Sequence, residues 1–367
     1  MMKEERSAFY PNGCSWVRGP LLGKGGFGSV FLALLKTPSL CMRNCPPLMA
    51  VKSTQLSVAK ELARERKVLE ALDGSPFIIR CYGEDFNRDE DGTLVANLFL
   101  EYASGGSLAS LIQKSTPNQT EGFGFGLAEP QVRLYTESIL RGIQHIHEAG
   151  YVHCDLKPEN ILLVPQATSN GSSFATKIAD FGLAKEARGS KCRVRGTQMY
   201  LSPESVVYGV QEQPSDIWAL GCVVLSMLTG KQPWDWKPEQ GEKKLKQLIV
   251  KEVPVIPTGI SKEAKDFLNK CFATNPTDRP TAEILLSHPF VSLRFLKIRD
   301  EQLCVQAEES LSHEPIHYEF GDSFIPLCSS SFDSKEADEM AYGDIRPALS
   351  KIMWPRPSPA FAIQDAA

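Results

Sequence analysis

Side chains suited to phosphoryl chemistry occur in two segments, HCDLKPENILL at 153–163 and IADFG at 178–182. Asp155 could accept a proton from a hydroxyl nucleophile, and Asn160 could hold a divalent cation. Asp180 adds a second carboxylate after an apolar strand, although taken alone it also fits a turn. Mg²⁺ prefers one or two carboxylates together with phosphate oxygens. The two segments therefore indicate a site for a metal-bound triphosphate and a hydroxyl group.

A glycine-rich stretch, GKGGFGSV at 23–30, has Gly23, Gly25 and Gly28 in G-x-G-x-x-G spacing. Glycines let backbone N–H groups approach phosphate oxygens closely. The stretch lies between two predicted strands, whereas a dinucleotide-binding fold needs a strand followed by a helix. Taken alone, it also fits an ordinary hairpin turn.

A lysine, Lys52, ends the apolar strand MAVK, where an unpaired buried charge would be costly. The following helix offers Glu61, Glu65 and Glu70 as partners. Glu65 is the predicted partner because it shares a face with the apolar residues Leu62, Val68, Leu69 and Leu72. The alternative is a lysine whose amine extends to solvent.

The elements that must position these residues fall into two groups. Residues 16–100 contain short β-rich runs and one helix at 58–72, and helices dominate after residue 107. The segment 129–150 has Pro near its start and Gly just past its end, as helices often do. Residues 36–47 are predicted to be a hairpin loop. The sequence predicts an α+β chain with a sheet-rich part, a Gly-Gly connector and a larger helical part.

Composition narrows the class of protein further. With 42% hydrophobic and 23% charged residues, the chain is typical of globular proteins, and its net charge of −4 favours no nucleic-acid partner. The N-terminus lacks the apolar core of a signal peptide, and the longest apolar run, 217–228, is too short to span a bilayer. The ten cysteines form no C-x-x-C pair. We therefore expect no membrane contact and a cytoplasmic or nuclear location.

In this order and spacing, the motifs resemble those of the eukaryotic protein kinase family. The resemblance implies a bilobal α+β fold over 16–292, with a small antiparallel β-sheet lobe at 16–103 that carries one helix, and a larger helical lobe at 104–292. Residues 1–15 would be an N-terminal extension. Residues 293–367, polar and Pro-rich, are expected to form a flexible tail.

The resemblance also assigns roles to individual residues. ATP and Mg²⁺ would be the cofactors, with Asp155 as catalytic base, Lys157 on the γ-phosphate, and Asn160 and Asp180 on the metal. Lys52 would pair with the phosphates and with Glu65. Val30 and Ala50 would cover the adenine, Leu100 would be the gatekeeper and Glu101, Tyr102 and Ala103 the hinge. The loop over the phosphates would comprise Leu22, Gly23, Lys24, Gly25, Gly26, Phe27 and Gly28.

Structural roles are implied for two further acidic residues. Glu204 of the SPE motif would pair with Arg279 in the helical lobe, and Asp216 would support the backbone of the catalytic loop.

Lys157 and Thr197 match serine/threonine kinases rather than tyrosine kinases. The stretches MAVKS, SPFIIRCYG, EYASGGSL, HCD and DIWALGC resemble plant MEKK-type MAP kinase kinase kinases. This implies a protein substrate, a MAP kinase kinase, met by a monomer or in transient complexes. KPEN departs from that group, and Glu159 would suit a substrate arginine. A basophilic kinase outside the cascade, and a pseudokinase scaffold, therefore remain alternatives.

Cys154 stands where an Arg is commoner before the catalytic Asp. A thiol cannot bind a phosphate on the activation segment as that Arg does. The cysteine is either a small packing residue or a redox sensor. Residues 183–203 carry five basic side chains against one acidic side chain, so an Arg would be repelled there. We expect Ser190 to accept phosphate, Thr197 to serve the substrate-binding loop, and activity to depend only weakly on phosphorylation.

Overall fold

The computed structural model describes residues 15–26, 28–36, 45–88, 91–115, 126–168, 171–187 and 194–292. Its strands are β1 Trp16–Gly25, β2 Gly28–Leu35, β3 Leu48–Gln55, β4 Cys81–Arg88, β5 Leu94–Leu100, β6 Tyr151–Val152, β7 Ile161–Thr168, β8 Gly171–Ile178 and β9 Lys185–Glu186. Its helices are α1 Lys60–Ala71, α2 Leu108–Lys114, α3 Glu129–Glu148, α4 Pro203–Tyr208, α5 Gln213–Thr229, α6 Glu242–Lys251, α7 Lys262–Cys271 and α8 Ala282–Leu286. The predicted 36–47 loop falls mostly outside the described residues.

The small lobe is an antiparallel sheet in the order β1-β2-β3-β5-β4, to which α1 adds an apolar face. In α1, Leu62, Val68 and Leu69 are buried, and Glu65 lies among them, as the helical spacing predicted. A separate apolar cluster is centred on Trp16 and Phe99, whose rings meet edge to face at 5.2 Å. Strand β5 ends at Leu100, so residues 101–103 leave the sheet.

The large lobe is built around α5. Its residues from Ser215 to Met227 are all buried, as expected for the apolar run at 217–228. A capping box formed by Glu212 and Ser215 begins the helix, and Gly230, at φ 67°, ends it. Within the described residues, no helix has the length and apolar character to cross a membrane.

Two short antiparallel strand pairs lie within the helical lobe. β7 and β8 form a hairpin, and β6 pairs with β9. The sequence indicated only an apolar strand before Asp180, so the hairpin is an addition to the predicted elements. Catalytic-loop residues lie between β6 and β7, and Asp180 follows β8. The two lobes give the bilobal α+β fold that was predicted.

Candidate active site

An ion-pair triad links three elements. The amine of Lys52, on β3, lies 2.6 Å from Glu65 Oε2 on α1 and 2.8 Å from Asp180 Oδ1 after β8. The predicted pairing of Lys52 with Glu65 is therefore confirmed. Lys52 is 6% exposed and Glu65 1% exposed, so each side chain offsets the cost of burying the charge of the other.

The charge on the lysine is stabilised by its surroundings. Burial lowers the pKa of the Lys52 amine, but the carboxylates of Glu65 and Asp180 outweigh burial and raise it above its ordinary value. Burial raises the pKa of Asp180, but the surrounding groups, Lys52 first among them, together lower it more, so the net pKa lies below the ordinary aspartate value. Asp180 is ionised at neutral pH and has the positive φ of 62°, a conformation unusual for a non-glycine residue.

A second cluster surrounds Asp155. Its Oδ1 accepts hydrogen bonds from the backbone N–H and the hydroxyl of Thr197, both at 2.8 Å. The Lys157 amine lies 3.0 Å from Asp155 Oδ2 and donates to the Thr197 hydroxyl at 2.7 Å. Asn160 donates its side-chain amide to the Asp155 carbonyl at 2.9 Å and to Oδ2 at 3.2 Å. The structure thus brings four predicted site residues together.

The backbone of the catalytic loop is held by Asp216 at the start of α5. Its carboxylate accepts the backbone N–H groups of His153 at 2.9 Å and Cys154 at 3.1 Å, as was predicted. His147 is also 2.9 Å from the Asp216 carboxylate. Burial raises the pKa of Asp216, but its interactions with His147 and His153 together lower it more, so the net pKa is below its ordinary value. Cys154 takes a positive φ of 68° at this point.

His153 links the catalytic loop to the segment that carries Asp180. Its Nδ1 accepts the backbone N–H of Asp155 at 3.2 Å, so its Nε2 carries the proton and donates to the Ala179 carbonyl at 3.1 Å. Its ring also meets Phe181 edge to face at 4.9 Å. The backbone N–H of Ala179 donates to the Asn160 carbonyl at 2.9 Å, which places Asn160 beside the strand leading to Asp180.

The glycine-rich turn joins β1 to β2, so its expected position between two strands is confirmed. Gly28 has φ 134°, and a Cβ there would lie 2.6 Å from the Ser53 carbonyl, so only glycine fits without a shift. Leu22 and Lys24 are exposed, and Phe27 lies outside the described residues. In the sheet, Val30 pairs with Lys52, which places the turn beside the ion-pair triad.

The segment that joins the lobes begins after Leu100, which pairs with Ala50 across the sheet. Residues 101–103 are half-buried. The Glu101 carboxylate lies 2.8 Å from the Lys177 amine on β8, and its backbone N–H donates to the Arg80 carbonyl at 2.8 Å. The sequence analysis did not pair Glu101 with Lys177, which lie 76 positions apart in the chain.

A buried ion pair attaches α4 to the large lobe. The two terminal nitrogens of Arg279 each lie 2.7 Å from a different oxygen of Glu204, which confirms the predicted pair. Burial raises the pKa of Glu204, but Arg279 and the hydrogen bonds from Ser202 and the backbone together lower it more, so the net pKa is below the ordinary value. This two-point contact secures the end of the activation segment.

Cys154 is buried, and its thiol lies 3.6 Å from the Val152 carbonyl. Burial is the main cause that raises the pKa of this thiol. A redox sensor needs an exposed thiol with a lowered pKa, so the structure favours the packing interpretation. Ser190, the expected phosphate acceptor, lies outside the described residues.

The donor set fits a nucleotide-bound cation. Asn160 uses its amide nitrogen as a donor, which leaves the amide oxygen for a metal, and Asp180 is ionised close by. Within the described ranges, no cluster of three or more His, Cys, Asp or Glu side chains could hold a metal by itself. A cation here would take further oxygens from phosphate, as Mg²⁺ commonly does.

A bilobal fold with a lysine–glutamate pair, a loop aspartate beside a lysine, and a second aspartate near the pair defines a protein phosphotransferase. The family model described as protein kinase domain matches residues 16–291, and the chain belongs to the protein kinase family. It is a serine/threonine protein kinase.

Three plant proteins are among the similar sequences. The mitogen-activated protein kinase kinase kinase 20 of Arabidopsis thaliana is 41% identical over 338 residues, 87% of this chain and 92% of that protein. The mitogen-activated protein kinase kinase kinase 17 of the same plant is 34% identical over 284 residues, 76% of this chain and 70% of that protein. The mitogen-activated protein kinase kinase kinase 18 of that plant is 35% identical over 286 residues, 76% of this chain and 77% of that protein. The resemblance to plant MAP kinase kinase kinases is confirmed.

Proposed function

We propose that this kinase phosphorylates a MAP kinase kinase, using ATP with Mg²⁺. Protein kinases in general use ATP and a divalent metal. For this chain we propose that the metal is magnesium and that the substrate is a MAP kinase kinase. The observation that carries it is the similarity at 41% identity across 92% of a protein named a MAP kinase kinase kinase. Cytoplasmic or nuclear location belongs to the same proposal.

The geometry supports separate roles for the residues of the site. Lys52, held by Glu65, would orient the α- and β-phosphates, and Asp180 with Asn160 would hold the metal. Metal and lysine together would neutralise charge on the transferred phosphoryl group. The residues of the glycine turn, with Val30, Ala50 and residues 100–103, would enclose the nucleotide.

Asp155 is the proposed proton acceptor. Its carboxylate would take the proton of the substrate hydroxyl, while Lys157, 3.0 Å away, would contact the γ-phosphate. Thr197, bonded to both residues, links the catalytic loop to the segment that would receive the substrate. This lysine–threonine contact is the arrangement that supports serine or threonine as acceptor.

The test is an assay with kinase-dead MAP kinase kinases, so that incorporated phosphate comes only from this chain. We expect phosphate on serine or threonine of a MAP kinase kinase, located by mass spectrometry. Asp155→Asn should still bind ATP but transfer no phosphate, because it removes the proton acceptor at nearly constant volume. Transfer at most of the wild-type rate by Asp155→Asn would contradict the assigned base.

A basophilic kinase is the second candidate, favoured by the exposed Glu159 on the catalytic loop. Peptides with and without arginine, assayed beside the MAP kinase kinases, separate the two. If arginine peptides are phosphorylated with kcat/KM about tenfold above every MAP kinase kinase, and Glu159→Gln removes that preference, the second candidate is correct.

A further inference from the structure

Gln211 lies in the short connection between α4 and α5 and is 6% exposed. Its side-chain amide meets the backbone of Arg195, in the activation segment, at two points. The Arg195 N–H donates to Gln211 Oε1 at 2.8 Å, and Gln211 Nε2 donates to the Arg195 carbonyl at 2.8 Å. One side chain thus satisfies both polar backbone groups of a segment residue, as a neighbouring strand would.

The connection that carries Gln211 is itself well anchored. Ser205 on α4 donates its hydroxyl to the Val210 carbonyl at 3.0 Å. On the other side, the Glu212 side chain caps α5 and lies 2.9 Å from the Lys185 amine. Gln211 is therefore held between two fixed neighbours and can act as a rigid support.

The position of Arg195 is coupled to Asp155 through the next two residues of the chain, Gly196 and Thr197. Gly196 has φ 96°, and a Cβ there would lie 2.3 Å from the Cys154 carbonyl, so the segment backbone rests on the catalytic loop. Thr197, next in the chain, gives both its N–H and its hydroxyl to Asp155. A shift of Arg195 would therefore move Thr197 away from the carboxylate.

We propose that Gln211 is a positioning residue for phosphoryl transfer, whose amide holds Arg195 and thereby keeps Thr197 bonded to Asp155. The contact is between neutral groups and needs no phosphate on the segment. It acts beside Cys154, where the side chain cannot bind a phosphate. Cys154, Thr197 and Gln211 line one cavity of about 10 Å³, so Gln211 lies close to the catalytic loop.

Gln211→Met tests the proposal, since it keeps the length of the side chain and removes both hydrogen bonds. Gln213→Met is the matched control: Gln213 is two positions away, and its amide donates to the His147 carbonyl at 2.9 Å instead. We expect Gln211→Met to lower kcat for a protein substrate about tenfold, the scale of one or two lost neutral hydrogen bonds. The KM for ATP should change less than about twofold, because the ion-pair triad is untouched.

Hydrogen exchange gives a readout that a simple packing role would not change. The Thr197 amide should exchange faster in Gln211→Met and at the wild-type rate in Gln213→Met. ATP-analogue titration should show full binding stoichiometry in both. Either wild-type kcat or wild-type Thr197 exchange in Gln211→Met would overturn the proposal, as would a loss of nucleotide sites that accounts for the whole fall in activity.

Should Gln211→Met fail to fold, Gln211→Glu keeps the shape and the acceptor for the Arg195 N–H and loses the donor to its carbonyl. A lowered kcat is expected there, and an unchanged kcat refutes the proposal. The inference rests on Asp155 as proton acceptor. An active Asp155→Asn enzyme would refute that assignment, whereas an inactive Asp155→Asn beside a fully active Gln211→Met would refute only the role of Gln211.

Discussion

At the scale of single residues, the cost of burying an unpaired charge determines which side chains meet in the active site. Lys52 on an apolar strand requires an acidic partner, and helical spacing selects Glu65 from three candidates. Gln211 was missed because a neutral amide carries no such requirement. Its contact with Arg195 depends on how the chain folds back over 16 positions. The pair between Glu101 and Lys177 was missed because the sequence does not show that either charge is shielded from water.

The surroundings of Cys154 predict the effect of restoring an arginine. The charges that act on the buried thiol are of both signs, Asp216 and Glu212 as well as Lys185 and Arg195, and the adjoining cavity is only about 10 Å³. Cys154→Arg should therefore lower the free energy of unfolding by about 2–4 kcal/mol, through overpacking and the burial of a new charge. Urea unfolding measures this, with Cys154→Ser as the small-side-chain control.

The salt dependence of this loss reports where the new charge lies. Cys154 is buried, and salt screens buried charges much less than exposed ones, so added salt should leave the stability difference between Cys154→Arg and Cys154→Ser nearly unchanged. An arginine variant as stable as the wild type at low salt would mean that the side chain finds an anionic partner or reaches solvent.

At the scale of elements, the attachment of α4 depends on the pair between Glu204 and Arg279. Arg279→Met leaves a buried carboxylate without its partner, so unfolding free energy should fall by about 3–5 kcal/mol. Arg141→Met is the matched control, because Arg141 pairs with Glu137 on an exposed helix face. That change should cost less than about 1 kcal/mol.

The pKa of Glu204 sets the pH dependence of this loss. Because the folded-state pKa is below the ordinary value, the pair contributes its stability above the unfolded-state pKa and loses it as pH falls through the folded-state pKa. The difference between wild type and Arg279→Met should be largest at neutral pH and narrow below about pH 4. A difference that is the same at neutral and acidic pH would indicate lost packing rather than a lost ion pair.

At the scale of the whole molecule, the two-lobe organisation was predictable because motif order reflects chain order. The period-two and helical patterns distinguish a strand-rich segment from a helix-rich one, and the glycines mark the turns. The β7–β8 hairpin was not predicted, since one strand is too polar to show an apolar pattern. Catalytic residues were recognisable in sequence, whereas the contacts that support them join distant segments.

The extent of the folded kinase domain is the last prediction. The family match ends at residue 291, and two residues near that point close the core: Phe290, at 0% exposure, and Val291, at 2%. The Phe290 ring lies 5.1 Å from Phe267 and 4.9 Å from the Arg133 guanidinium. A chain ending at Arg294 should melt cooperatively and phosphorylate the same substrate within about twofold of full length, since the core stays intact. A chain ending at Pro289 loses both buried side chains and should melt about 10 °C lower. If the chain ending at Arg294 loses activity or its cooperative transition, residues beyond it contribute to the domain and the predicted boundary at 292 is wrong.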